Sequence, residues 1–298
     1  MRIVVTGASG FMGSALAPAL RAGGHEVVPL VRRAVGASEQ AIRWDPVNGV
    51  LDGSALEGAD AIVHLAGESL QALRWTAAKK RRIHESRVQG TALLARTVAT
   101  LERRPAVLIA GSATGFYGSR GATELREDSV AGSGFLATVA QAWEAAADPA
   151  REAGIRVVHT RTAPVIASTA PLVRRQLPIF RLGLGGWFGD GRQYWPWVHL
   201  ADLVGAVLHV LARDDIEGPV NVAAPQAVTN AEFARTLGRV IRRPVLLSVA
   251  SPLARLMFGE VADEMLLTSQ RVVPARLQAT EFNFEYPNLE VALRAALS

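Results

Sequence analysis

The chain has 298 residues, 49% of them hydrophobic, enough for one large α/β domain or a nucleotide domain with a smaller companion, and a formal charge of +5. It contains no cysteine, which excludes disulfides, thiolate catalysis and cysteine-held zinc and leaves any chemistry to oxygen and nitrogen groups. The basic residues are almost all arginine, and the one dense run, Lys79-Lys80-Arg81-Arg82, has no interleaved aromatics, so it reads as a solvated helix face and not as a nucleic-acid site.

Charged residues interrupt every apolar run well short of about 18, and the first residues lead directly into a strand, so a cytoplasmic protein with no membrane partner is expected. Arg2 to Gly13 reads Arg-Ile-Val-Val-Thr-Gly-Ala-Ser-Gly-Phe-Met-Gly, a short strand running into glycines. Gly7 allows a sharp turn, Gly10 leaves room for a pyrophosphate against bare backbone, and Gly13 lets the next helix pack close on the sheet. Ser9, Phe11 and Met12 complete a loop whose free N–H groups and helix dipole favour phosphate. The helix predicted over Phe11–Ala22 stops at Gly23-Gly24, and Glu26–Val31 reads as a second strand. Arg32 and Arg33 follow, where an NAD-specific protein places an acidic residue for the ribose 2′-hydroxyl. Val31, in that residue's usual place, cannot accept the bond, and an arginine favours a 2′-phosphate. NADP(H) is therefore the expected cofactor, NAD(H) the alternative, and solvated loop arginines the plain reading.

Further strand-like runs fall at Asp60–Leu65, Ala106–Ala110, Arg156–Thr160 and Pro219–Val222, alternating with helical stretches at Thr76–Leu101 and Phe135–Glu152. Such alternation predicts an α/β fold with a Rossmann-type, doubly wound parallel sheet. Glu127-Asp128 reads as a helix-start signal. Gly183–Trp197 mixes glycines with Trp187, Phe188, Trp195 and Trp197; it is expected to form a mobile cover over the cleft, with core packing of the aromatics as the alternative. A helix over Asn230–Ile241 and a smaller α/β piece complete the chain, with a boundary near Pro244 that divides it into residues 1–243 and 244–298.

Four segments carry a family resemblance: Thr6–Gly13, Asp60-Ala-Ile-Val-His-Leu-Ala-Gly67, Ser112-Ala-Thr-Gly-Phe-Tyr-Gly118 and Trp197-Val-His-Leu-Ala-Asp202. Together they resemble the extended short-chain dehydrogenase/reductases, or NAD-dependent epimerase/dehydratases, along the whole chain. Ala66-Gly-Glu68, Arg74-Trp75-Thr76, Ser86-Arg87, Trp143-Glu144 and the tail from Gly259-Glu260 to Phe284-Glu-Tyr-Pro287 are similar to one atypical subfamily with a C-terminal domain of unknown function. The resemblance implies that Leu65, Ala66, Gly67 and Arg87 join the glycine loop in binding the cofactor. It also implies a Tyr-x-x-x-Lys pair on the helix after the fifth strand, where the lysine lowers the tyrosine pKa for proton transfer. This chain lacks the pair: Phe135/Val139 or Leu136/Ala140 stand at the expected positions.

The expected function is an NADP(H)-dependent oxidoreductase or epimerase-like enzyme acting on a small carbonyl or sugar-like substrate. Ser112 would polarise the substrate, and Glu68 or Tyr117 would replace the missing acid. The alternative is a non-catalytic NADP(H)-binding sensor or regulatory protein, which the missing pair favours. His64 reads as a core histidine, and His199 with Asp202 as a loop-orienting pair lacking a third metal ligand. A homo-oligomer remains open.

Overall fold

The computed structural model describes residues 1–36 and 39–297. Its centre is an eight-stranded sheet built from β1 (Arg2–Thr6), β2 (Glu26–Val31), β3 (Ile42–Asp45), β4 (Val50–Leu51), β5 (Ala61–His64), β6 (Val107–Ala113), β7 (Arg156–Thr162) and β8 (Gly218–Val222). The order is β8-β7-β6-β5-β1-β2-β3-β4, parallel throughout except at the β3–β4 hairpin. The chain leaves β1 in one direction for β2 and returns on the other side as β5, so the sheet's switch point lies between β1 and β5, where open α/β sheets bind ligands.

Strands with both faces covered read as unbroken apolar runs, which is why β1, β5 and β6 were visible in the sequence. Ile3 and Val5 point to one face, where they pack with Leu16 and Leu20 of α1 (Gly13–Ala22). Val4 points to the other, against Leu94 and Val98 of α2 (Ala77–Ala99). α2 starts where Thr76 Oγ1 accepts the Lys79 amide at 3.1 Å, a side-chain cap for an otherwise orphan donor.

The helix predicted over Phe135–Glu152 is two helices, α3 (Phe135–Ala145) and α4 (Asp148–Glu152). Pro149 has no N–H for the Ala145 carbonyl and its ring would collide there, so the first helix stops and a second begins with proline in its first turn. Glu127 starts no helix; it is buried, and its Oε1 accepts the Asn221 and Arg276 amides, each at 3.1 Å. The elements α5 (Pro171–Arg181) and α6 (Leu200–Leu211) follow, then α7 (Asn230–Val240), α8 (Ser251–Phe258), α9 (Ala275–Ala279) and α10 (Leu289–Leu297).

For Trp195 and Trp197 of Gly183–Trp197 the structure shows core packing, which makes the segment a wall of the fold. Its strand Gly186–Phe188 pairs with Leu247–Val249, and Tyr194–Trp195 pairs with Val228–Thr229. Trp195 is 8% and Trp197 1% exposed, both in a cluster with Phe233 and Leu237 of α7 and Leu289 and Leu293 of α10. Side chains tie the segment to its neighbours in both directions: Asn230 Oδ1 accepts the Phe188 amide at 2.7 Å, and Gln193 Nε2 donates to the Leu266 carbonyl at 3.0 Å. The same cluster joins residues on both sides of Pro244. His199 caps α6 through Nδ1, and the Asp202 carboxylate accepts the Glu285 and Tyr286 amides at 2.6 and 3.0 Å. Among the described residues no helix is long and apolar enough to cross a membrane.

A fixed wall has a measurable signature. The Phe188, Tyr194 and Val198 amides should exchange slowly in ligand-free protein and at the same rate with ligand added. Fast exchange that slows on ligand addition would restore the moving cover.

Candidate functional site

The β1–α1 loop is shaped by one hydroxyl and three glycines. Thr6 Oγ1 accepts the Leu65 and Ala66 amides at 3.0 and 3.1 Å, which uses both of its lone pairs. Its proton therefore goes to His64 Nδ1, 2.7 Å away, and burial pushes the His64 pKa down to about 4, so the ring is neutral. Gly7 turns with φ of +69°, and a Cβ there would sit 3.0 Å from the Ala66 nitrogen. A Cβ on Gly13 would lie 2.2 Å from the Gly7 carbonyl oxygen, so both positions are closed to any side chain. Gly10 differs: its Cβ would meet only the Gly7 oxygen, at 3.1 Å, and otherwise faces open space.

Among the described residues the amides of Ser9, Phe11 and Met12 have no acceptor. Backbone donors gathered at a helix start, beside a glycine with no neighbour on its outer side, fit a pyrophosphate.

Leu65, Ala66 and Gly67 form the opposing rim at the carboxyl end of β5. A Cβ on Gly67 would be 3.5 Å from Arg87 Cζ, so the guanidinium backs directly onto the rim. Arg87 donates to the Glu68 and Ile83 carbonyls at 3.0 and 3.1 Å and lies over the Trp143 ring. Burial lowers its pKa to about 10, which leaves it cationic at neutral pH. The two arginines after β2 differ. Arg33 is held in a two-pronged ion pair with Glu39, Nη1 to Oε2 at 2.8 Å, whereas Arg32 is exposed and without a hydrogen-bond or ion-pair partner among the described residues.

At the end of β6 the structure assembles a buried polar chain that the sequence did not announce. Ser112 Oγ donates to Glu144 Oε1 at 2.6 Å, and the Glu144 carboxylate takes both Nε and Nη2 of Arg161 at 2.8 Å. Arg161 Nη1 reaches the Tyr117 oxygen at 3.0 Å, and the Tyr117 hydroxyl donates to Asn221 Oδ1 at 2.7 Å. Tyr117 is 0% exposed and burial pushes its pKa up, so its proton is committed inside the core. It is a strut between the turn after β6 and β8, with no proton to give a substrate, contrary to the proton donor expected there.

Glu68 stands at the rim with Lys79, a residue the sequence reading assigned to solvent. Lys79 Nζ donates to Glu68 Oε1 at 2.7 Å and its side chain is only 13% exposed. That hydrogen bond, with the charges of Lys79 and Arg82, holds the Glu68 carboxyl below its ordinary value, so at neutral pH it is a base or an acceptor and not an acid. Where the resemblance places tyrosine and lysine, Phe135 and Val139 pack with Trp75, Ile83 and Val261. Lys80 lies over the Phe135 ring and pairs with Glu260 at 2.7 Å, and Glu264 accepts the Phe135 and Leu136 amides at 2.8 and 2.9 Å. The tail thus supplies two carboxylates to the starts of α2 and α3. Among the described residues no His, Asp and Glu group could hold a metal.

Glu144 is the test of the buried chain. Glu144→Gln leaves Arg161 without its counter-charge and should cost about 3–5 kcal/mol in urea unfolding, while Glu144→Gln with Arg161→Met should cost clearly less than the single change. Equal stabilities for wild type and Glu144→Gln would show that the pair is not formed.

The sequence profile of the NAD dependent epimerase/dehydratase family matches residues 3–223, and that of DUF1731, a domain of unknown function, matches residues 249–296. An epimerase family protein of Mycobacterium bovis is 41% identical over 98% of this chain and 96% of its own length. The crystal structure of the human epimerase family protein SDR39U1 (isoform 2) with NADPH superposes with a TM-score of 0.88 at 33% identity, covering 99% of each chain. A nucleoside-diphosphate sugar epimerase from Corynebacterium glutamicum superposes with a TM-score of 0.81 at 34% identity, covering all of this chain and 58% of that one.

Proposed function

The chain belongs to the NAD dependent epimerase/dehydratase family, and on that footing we propose that it is an NADP(H)-dependent oxidoreductase or epimerase-like enzyme for a small carbonyl or sugar-like substrate. The observation that carries this reading is a set of donors with no partner among the described residues: the loop amides of Ser9, Phe11 and Met12 after β1, and the guanidinium of Arg32 after the adjacent strand β2. The amides and the bare Gly10 would seat a pyrophosphate, and Arg32 a 2′-phosphate. Gly7 and Gly13 keep the loop in that shape, while Leu65, Ala66 and Gly67, backed by the Arg87 charge, would form the opposite wall. The NADPH in the human relative's structure supports the choice of the phosphorylated dinucleotide.

When bound, NADP(H) supplies a hydride to a substrate carbon or removes one. The chain's residues would handle the hydrogen bonds. Ser112 gives its proton to Glu144, so Ser112 Oγ is an acceptor suited to a substrate hydroxyl. Glu68, ionised beside Lys79, would take a proton, and Lys79 Nζ would donate one. One observation favours the second reading, a non-catalytic NADP(H)-binding sensor: apolar Phe135 and Val139 stand where proton transfer is expected, and Tyr117 is sealed in the core. NADPH oxidation followed across a panel of small aldehydes, ketones and keto-sugars separates the two. Turnover with any of them upholds the enzyme; saturable binding with none upholds the sensor.

NADPH should bind about 10- to 150-fold more tightly than NADH, and Arg32→Ala should remove most of that preference, because a charge-assisted hydrogen bond contributes roughly 1.5–3 kcal/mol. Calorimetry that finds equal affinities in the wild type would sink the assignment. Gly10→Val should abolish binding of both dinucleotides with little change in melting temperature, since its side chain enters open space where the pyrophosphate would lie. Retained affinity would mean that the loop binds no phosphate.

A further inference from the structure

The side of the molecule formed by α5, the turn after it and the turn after α7 has a composition that neither the candidate site nor the core explains. Arg175, Ile179 and Leu182 follow one another at helical spacings of four and three, so one exposed face of α5 is both basic and apolar. Arg243 Nε donates to the Arg181 carbonyl at 2.8 Å, which fixes the turn after α7 beside the end of α5. Leu247 pairs with Gly186, bringing Leu246 next to the stretch that carries Leu184. The leucines stand far out of the surface: Leu182 is 76% and Leu246 81% exposed.

Of the arginines here, Arg294 pairs with Glu290 at 2.7 Å and the others lack counter-charges among the described residues. Among the described residues Arg174, Arg175, Arg181 and Arg242 have no side-chain partner, and Arg243 donates only to carbonyls. Between them lies a groove of about 610 Å³ lined by the apolar Val240, Ile241 and Leu297 and by Arg181, Arg243 and Arg294. A basic, amphipathic helix with protruding apolar tips is built to lie on a surface that is negative at its face and apolar beneath.

We propose that this face docks on an anionic lipid bilayer, with the arginines at the level of the headgroups and Leu182, Leu184 and Leu246 inserted below them. The charge pattern decides against a second copy of the chain, since a symmetric contact would set one group of unpaired arginines against another. Nucleic acid offers nothing for exposed leucines. No helix among the described residues can cross a membrane, and surface attachment requires none. The candidate nucleotide loop and the buried Glu144–Arg161 pair take no part, so the docking is independent of the proposed activity.

Full-length protein is sedimented with vesicles of phosphatidylcholine alone or of phosphatidylcholine with a minority of phosphatidylglycerol. Binding to the mixed vesicles only is expected, and it should fade as salt shortens the Debye length to about 3 Å near about 1 M. Each arginine near such a surface contributes about five-fold, so Arg175→Glu with Arg242→Glu, two side chains with no hydrogen-bond or ion-pair partner among the described residues, should lower partitioning by at least about 25-fold. Leu182→Ser with Leu246→Ser should lower it about tenfold while keeping the salt dependence. Both variants should melt at the wild-type temperature, which shows that they are folded. The proposal is overturned by equal binding to both vesicles, by no binding to either, or by variants that partition like wild type. Displacement by inorganic phosphate would make the patch a small-anion site, and binding to polyglutamate but not to vesicles would assign it to an acidic polymer; either result also overturns the proposal.

Discussion

Where the β1–β5 ladder ends, one side-chain hydroxyl ties the two halves of the sheet together. Thr6 Oγ1 takes two amides from the end of β5 and gives its proton to the neutral His64 ring, fixing the spacing between the strands on either side of the switch point. The glycine loop can approach the opposite rim as closely as it does because that spacing is set, and Gly7 and Gly13 are glycine because no Cβ fits the result. Everything assigned to the dinucleotide depends on this junction: the direction of the loop amides, the rim at Leu65–Gly67 and the position of Arg87 behind it. A hydroxyl with both lone pairs and its proton engaged has no alternative rotamer that keeps three bonds, so the junction resists shear.

At the other end of the candidate cleft the structure replaces one kind of chemistry with another. An ionised tyrosine–lysine pair needs a polar, accessible helix face, whereas α3 presents Phe135 and Val139 to an apolar cluster. Charge is moved to two neighbouring places: inward, to the Glu144–Arg161 pair, and outward, to Glu68 with Lys79. The inner pair is desolvated, so it contributes geometry more than net stability, and its task is to hold Ser112 and Tyr117 in one arrangement. The outer pair sits at the rim, with Glu68 the more exposed partner at 35%, so solvent screens it more than the inner pair.

The fold was legible wherever a single element carried its own signal. Parallel strands appear as apolar runs, and the Gly7–Gly13 spacing identifies the loop. Two signals were present and not used: Pro149, which divides α3 from α4 and was outweighed by periodicity, and Asn48-Gly49, in a stretch given no element, which turns the β3–β4 hairpin with φ of +68° at Gly49. Other features had no local signature. Glu144 and Arg161 are 17 residues apart on a helix and a strand, and only the sheet register opposing Ser112 and Arg161 brings them together. Lys79 lay hidden in a basic run whose composition averages to solvent. The aromatics of Gly183–Trp197 have no period, and their fixity comes from Gln193, Asn230 and the tail, contacts that composition cannot foretell.

That interleaving of the tail with earlier segments sets an order of events during synthesis. Arg271 pairs beside Glu124, the Gln270 amide closes on Tyr194, and Asp202 waits for the amides of residues 285 and 286. Each contact joins segments separated by roughly eighty residues or more, a topology in which loop closure slows folding. The central sheet is complete at Val222, so it can collapse before the segment from Gln270 onward has been made. The wall containing Trp195 and Trp197 cannot close until α10 has emerged, so its apolar side stays open for that interval, and chaperones have their clearest binding target there.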